Sequence, residues 1–120
     1  MTLRTDKVAS LIKEEIGSFI TREYRDPAYG LITVTEVIVT PDIRIAKIYI
    51  SIMGSEKVRD ATFRMLENNK GQLRSVIGSH LTLKFTPAIQ LYIDETLDRV
   101  EKIDKLLKKI HEKEEHKDGQ

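Results

Sequence analysis

Cysteine is absent from this chain of 120 residues. That excludes disulfides and thiolate chemistry outright, and a cysteine-free chain fits a reducing compartment. Long apolar runs are absent too. Met1 to Ser10 reads MTLRTDKVAS, without a signal-like apolar core, and no stretch approaches the roughly 20 apolar residues that span a bilayer. The expectation is a cytoplasmic protein with no membrane partner. No charge of one sign dominates, since 20 basic residues face 19 acidic ones. A chain of this length supports a single domain with one ordinary core.

Catalytic signatures are missing as well. There is no GxSxG, no evident Ser/His/Asp set, no Walker-type phosphate loop and no GxGxxG. The three histidines are His80, His111 and His116, and the last two are five apart, off a shared helical face. That spacing does not build a metal site. Carboxylates are abundant, but many sit at helix-pairing spacing. The chain is expected to be a non-enzyme with no metal and no cofactor.

What is present is a clear order of elements. Val8, Leu11, Ile12, Ile16, Phe19 and Ile20 recur at helical steps and define one buried stripe. Thr5 or Asp6 is placed to cap this helix and Arg25-Asp26-Pro27 to end it. Leu31 to Val39 and Ile43 to Met53 are rich in β-branched residues and flank the turn signal Thr40-Pro41-Asp42, which predicts an antiparallel hairpin. In the second strand Ala46, Ile48, Ile50 and Ile52 fall on one face, and Lys47, Tyr49 and Ser51 on the other. Such a sheet needs helices on its dry face only.

A long helical segment follows Gly54-Ser55. Val58, Ala61, Thr62, Met65 and Leu66 share a face that Leu73, Val76 and Ile77 continue after a gap at Asn69-Lys70-Gly71. Asparagine and glycine are both poor helix formers. Asn69 is also a good N-cap, with Gln72 at capping-box spacing, so the pattern predicts helix, kink, helix, with Gly78 ending the second. After Pro87, Ile89, Leu91 and Ile93 alternate as a strand. A helix over 96–111 carries the stripe Leu97, Val100, Ile103, Leu107 and Ile110. The expected domain is 1–111, with a polar, disordered tail over 112–120.

Charge is distributed unevenly along this order. From Lys57 to Lys84, six basic residues face two acids, a local surplus of four positive charges. The kink sits inside that segment. A helix start offers unpaired N–H groups and a partial positive charge, which suit phosphate. Gly71 there permits close backbone approach. Asn69, Lys70, Gly71 and Arg74 are therefore the candidate RNA-binding residues, with Arg64 and Lys84 as further basic contacts. Tyr49 and Tyr92, with Lys47, form a second, open-face candidate on the sheet. A solvated helix face and tyrosines that merely cover a sheet are the alternatives, as is a protein-interaction module using the C-terminal stripe.

The residues resemble a family. LITVTEVIV over Leu31 to Val39 with Pro41-Asp42 and Ala46-Lys47-Ile48-Tyr49, GQLRSVIG over Gly71 to Gly78, and FTPAIQLYID over Phe85 to Asp94 with Thr96-Leu97 are similar in order and spacing to ribosome-binding factor A. The likeness runs from about Arg4 to Ile110. It implies an α+β, KH-like domain of type II order with a three-stranded sheet and helices on one face. Members lack the GxxG loop, as this chain does, and carry an Ala-x-Gly kink instead. Here the glycine is Gly71, and Asn69 stands where the family has alanine. The resemblance further implies a non-catalytic monomer that binds the small (30S) ribosomal subunit and its 16S rRNA, assists late maturation and pre-rRNA processing, and supports growth in the cold.

Overall fold

The first apolar stripe forms α1 (Leu3–Glu23) in a computed structural model that describes residues 3–95. Val8, Ile12, Ile16, Phe19 and Ile20 are buried, whereas Leu11, at the margin of the stripe, is 39% exposed. Thr5 and Asp6 do not cap this helix. It starts before them, and Thr5 is a buried residue of its first turns. Asp26 caps instead a short 3₁₀ turn (Pro27–Tyr29), accepting from the Ala28 N–H at 2.9 Å. Gly30 ends that turn at φ +72°, where a Cβ would stand 2.4 Å from the Met53 carbonyl oxygen. Only glycine fits so close a backbone approach.

The expected hairpin is β1 (Leu31–Val39) against β2 (Ile45–Met53), antiparallel, with a bulge between Val34 and Glu36. β2 starts two residues later than the pattern predicts, because Ile43 is drawn into the turn at φ 57°. β3 (Ala88–Ile93) pairs in parallel with β2, giving the order β1-β2-β3. Ala46, Ile48, Ile50 and Ile52 all face the core. On the opposite face Ser51, expected to be wet, is 7% exposed. The bulged Thr35 and Asp94 join across β2 beside it, hydroxyl to carboxylate at 2.6 Å.

α2 (Glu56–Asn68) starts at Ser55, whose hydroxyl accepts from the Val58 N–H. Thr62 and Leu66 are buried, and Ala61, on the expected inner face, is exposed. The Thr62 hydroxyl donates to the Tyr29 carbonyl at 2.8 Å, tying α2 to the 3₁₀ turn. α3 (Lys70–His80) buries Leu73 and Ile77. It runs two residues past Gly78, which lies instead against Thr86, 3.0 Å from the threonine Oγ1 to where a Cβ would stand. His80 meets Glu15 at the end of α3, joining that helix to α1.

The helices form one layer over one face of the three-stranded sheet, α1 chiefly on β1 and α3 beside α1. Ile12, Ile16, Ile48, Ile50, Leu66, Leu73 and Ile77 have no exposure at all. Each such side chain contributes about 1.5–3 kcal/mol of burial. The expected C-terminal helix over 96–111, the domain end at 111 and the polar tail lie outside the described residues.

Candidate nucleic-acid interface

The break between α2 and α3 falls on Asn69, as the sequence pattern predicts, but its chemistry differs. Asn69 does not cap α3 with its side chain. Its Nδ2 donates back to the Met65 carbonyl at 3.0 Å, and its own N–H reaches Met65 and Leu66. It thus closes α2. Its carbonyl then accepts from both the Gln72 and Leu73 N–H groups and opens α3. No Asn69–Gln72 capping box forms. Gln72 faces α1, where its Oε1 accepts from the Tyr24 hydroxyl at 3.4 Å. Tyr24 stands edge-on to Phe19 and Tyr29, and burial, with Glu23 adding to it, raises its pKa. An aromatic cluster therefore anchors the first turn of α3 to the end of α1.

Lys70 and Gly71 follow the break, and their N–H groups precede the first hydrogen bond of α3. Lys70 Nζ lies 3.0 Å from Glu67 Oε2. Gly71 is exposed, and a Cβ there would meet nothing within 4 Å. Packing inside the molecule does not require glycine at this position. Arg74 is one turn on. One nitrogen of its guanidinium donates to the Thr86 carbonyl at 3.0 Å, which leaves the rest of the fork for another partner. The structure thus gathers Asn69, Lys70, Gly71 and Arg74.

The other candidates sit elsewhere. Arg64 is on the solvent face of α2 with Asp60 and Ala61. Lys84 lies in the α3–β3 connection, its Nζ 5.6 Å from the centre of the Phe85 ring. Lys47 is on the outer sheet face, paired between Ile38 and Gln90, so the sheet separates it from the kink. Tyr49 and Tyr92 on that face stack on each other, ring centres 5.3 Å apart and 25° from coplanar. Sequence reasoning missed Arg44 and Phe85. The Arg44 guanidinium sits 5.0 Å from the Phe85 ring centre. The only hint was a phenylalanine in the polar string Lys84-Phe85-Thr86, outside any apolar period.

The turn that carries Arg44 is tightly bonded. The Thr40 hydroxyl donates to Asp42 Oδ1 at 2.7 Å, and the same oxygen accepts from the Arg44 N–H. The Thr40 hydroxyl, then the Arg44 N–H, hold the Asp42 carboxyl below the ordinary aspartate range. The Ile45 N–H closes the turn on Thr40 Oγ1.

Element order, the mixed three-stranded sheet and the one-sided helical layer define a KH-like α+β domain. The family model of ribosome-binding factor A matches residues 4–107. The ribosome-binding factor A of Staphylococcus carnosus (strain TM300) is 36% identical over 112 residues, covering 93% of this chain and 97% of that one. The chain therefore belongs to the ribosome-binding factor A family, whose members are non-catalytic ribosome assembly factors. Solved structures give the same fold. The crystal structure of ribosome-binding factor A from Thermus thermophilus superposes with a TM-score of 0.64 at 17% identity, over 74% of this chain and 94% of that one. A homology model of the Thermus thermophilus factor, fitted into a cryo-EM map of its 30S complex, gives 0.61 at 17% identity, over 72% of this chain and 90% of that one.

Proposed function

We propose that this protein binds the small (30S) ribosomal subunit through its 16S rRNA and acts, as a cytoplasmic monomer, in late subunit maturation, including pre-rRNA processing and growth in the cold. The observation that carries this reading is the helix break. Lys70 and Gly71 open α3 on an exposed surface, beside the partly free guanidinium of Arg74. Two cations at a helix N-terminus, with no side chain between backbone and ligand at Gly71, suit RNA phosphate. Family membership supports the ribosomal target, and the relative fitted in a 30S complex supports the small subunit.

The test is co-sedimentation with purified small subunits. Lys70→Glu combined with Arg74→Glu is expected to weaken binding while the thermal melt stays cooperative. Binding of short RNA by the same variant should show a salt slope shallower by about 1.4–1.8 units, two phosphate contacts having been lost. Unchanged co-sedimentation would remove the kink from the interface.

A further inference from the structure

The far end of the sheet carries an exposed aromatic ring among cations. Phe85 is 53% exposed, although Phe19 is buried in the core. Arg44 and Lys84 both lie over its ring, at 5.0 and 5.6 Å from the centre. Arg4 joins them around an open groove of about 330 Å³, with Ile43 and Leu83 lining it. Among the described residues the one acid at ion-pair distance from these three cations is Asp42, 4.0 Å from Arg44 Nε. The patch keeps a surplus of positive charge.

Resting on the RNA-binding reading above, we infer that Phe85 is a stacking platform for one unpaired RNA base, which replaces Arg44 and Lys84 over the ring while these two and Arg4 turn to the flanking phosphates. Three observations converge on it. A flat apolar face exposed among cations has the complementarity of a single-stranded nucleotide, a π-face beside an anion. The turn presenting Arg44 is fixed by the Thr40 and Asp42 bonds, and it holds Ile43 at φ 57°, a conformation β-branched residues rarely adopt. The patch is also tied to the kink group through one side chain, since Arg74 donates to the carbonyl of Thr86, the neighbour of Phe85.

The chain contains no tryptophan, so Phe85→Trp in the full-length protein installs a single reporter at the platform. Its fluorescence is expected to be quenched by a decaadenylate RNA and not by an abasic oligonucleotide of the same length, which has the phosphates without the bases. Phe85→Leu keeps apolar bulk and removes the π-face. It is expected to bind the RNA roughly 5- to 160-fold more weakly, the range for loss of one stacked base. Phe85→Tyr should restore most of the affinity. Equal quenching by the abasic strand, or wild-type affinity in Phe85→Leu, would overturn the platform while leaving the kink in place. Failure of the unaltered protein to sediment with small subunits would instead overturn the reading beneath it.

Discussion

Lys70 does not face the solvent alone. Glu67 holds its ammonium at 3.0 Å, the lysine side chain being 40% exposed and the glutamate 34%. An exposed pair of this kind is worth about 0–1 kcal/mol to the fold. Toward RNA its effect has the opposite sign, because the carboxylate repels incoming phosphate and occupies the lysine. Glu67→Gln is therefore expected to leave the melting temperature nearly unchanged and to tighten RNA binding about twofold, the size of one screened charge at several ångströms. Fluorescence anisotropy with a short RNA measures it. Weaker binding would mean that Glu67 positions Lys70 instead of competing for it. Asp42 is a second case where a carboxylate organises a cation. Its folded pKa is lowered, so its bonds support the turn at pH above the ordinary aspartate value of about 3.9 and are lost as pH falls through the lower folded value. A carboxyl titration by NMR should place the Asp42 midpoint below that ordinary value, with the Arg44 amide shift following the same curve. Asp42→Asn should abolish the step in the Arg44 amide.

At the level of elements, the break between α2 and α3 sets local stability against access. Gly71 sits in the first turn of a helix without a left-handed φ, and a Cβ there would meet open space. Gly71→Ala should then stabilise the protein by about 0.4–1 kcal/mol in urea denaturation, since alanine restricts the unfolded chain more. The same methyl group would stand where phosphate approaches, so affinity for small subunits should fall several-fold. Stabilisation with unchanged binding would show that RNA does not come close to that backbone. The position of this break was legible in the sequence because two poor helix formers interrupt an otherwise continuous apolar face. Its bonding was not. Asparagine serves either helix end, and only the tertiary arrangement sends its Nδ2 to Met65 and turns Gln72 toward Tyr24. The hairpin was legible for a simpler reason: a strict alternation from Ala46 to Ile52 leaves one register that buries the isoleucines. The Phe85 cluster was not legible as a cluster, since Lys84 adjoins the ring in sequence but Arg4 and Arg44 reach it only in the fold.

For the whole molecule, the sheet divides two surfaces that charge counting along the chain treats as one. Lys47 projects from the outer face, beside a tyrosine pair already stacked on itself. Lys70 and Arg74 belong to the helical layer on the other side. A sheet and a helix packed on it are separated by about 10 Å, comparable to the Debye length of about 8 Å at physiological salt. With a net charge of only +1, the molecule has little overall field to attract RNA from a distance, so contact must come from the face that meets it. Lys47→Glu is therefore expected to change RNA affinity by less than about twofold at about 0.15 M salt, while Lys70→Glu weakens it several-fold. The two affinities should draw together as salt rises, because Lys70→Glu has lost a phosphate contact and its binding falls less steeply with salt than that of Lys47→Glu, which keeps it. Equal losses in the two variants would require RNA to wrap both faces. That outcome would return the outer sheet, and its tyrosine pair, to the interface.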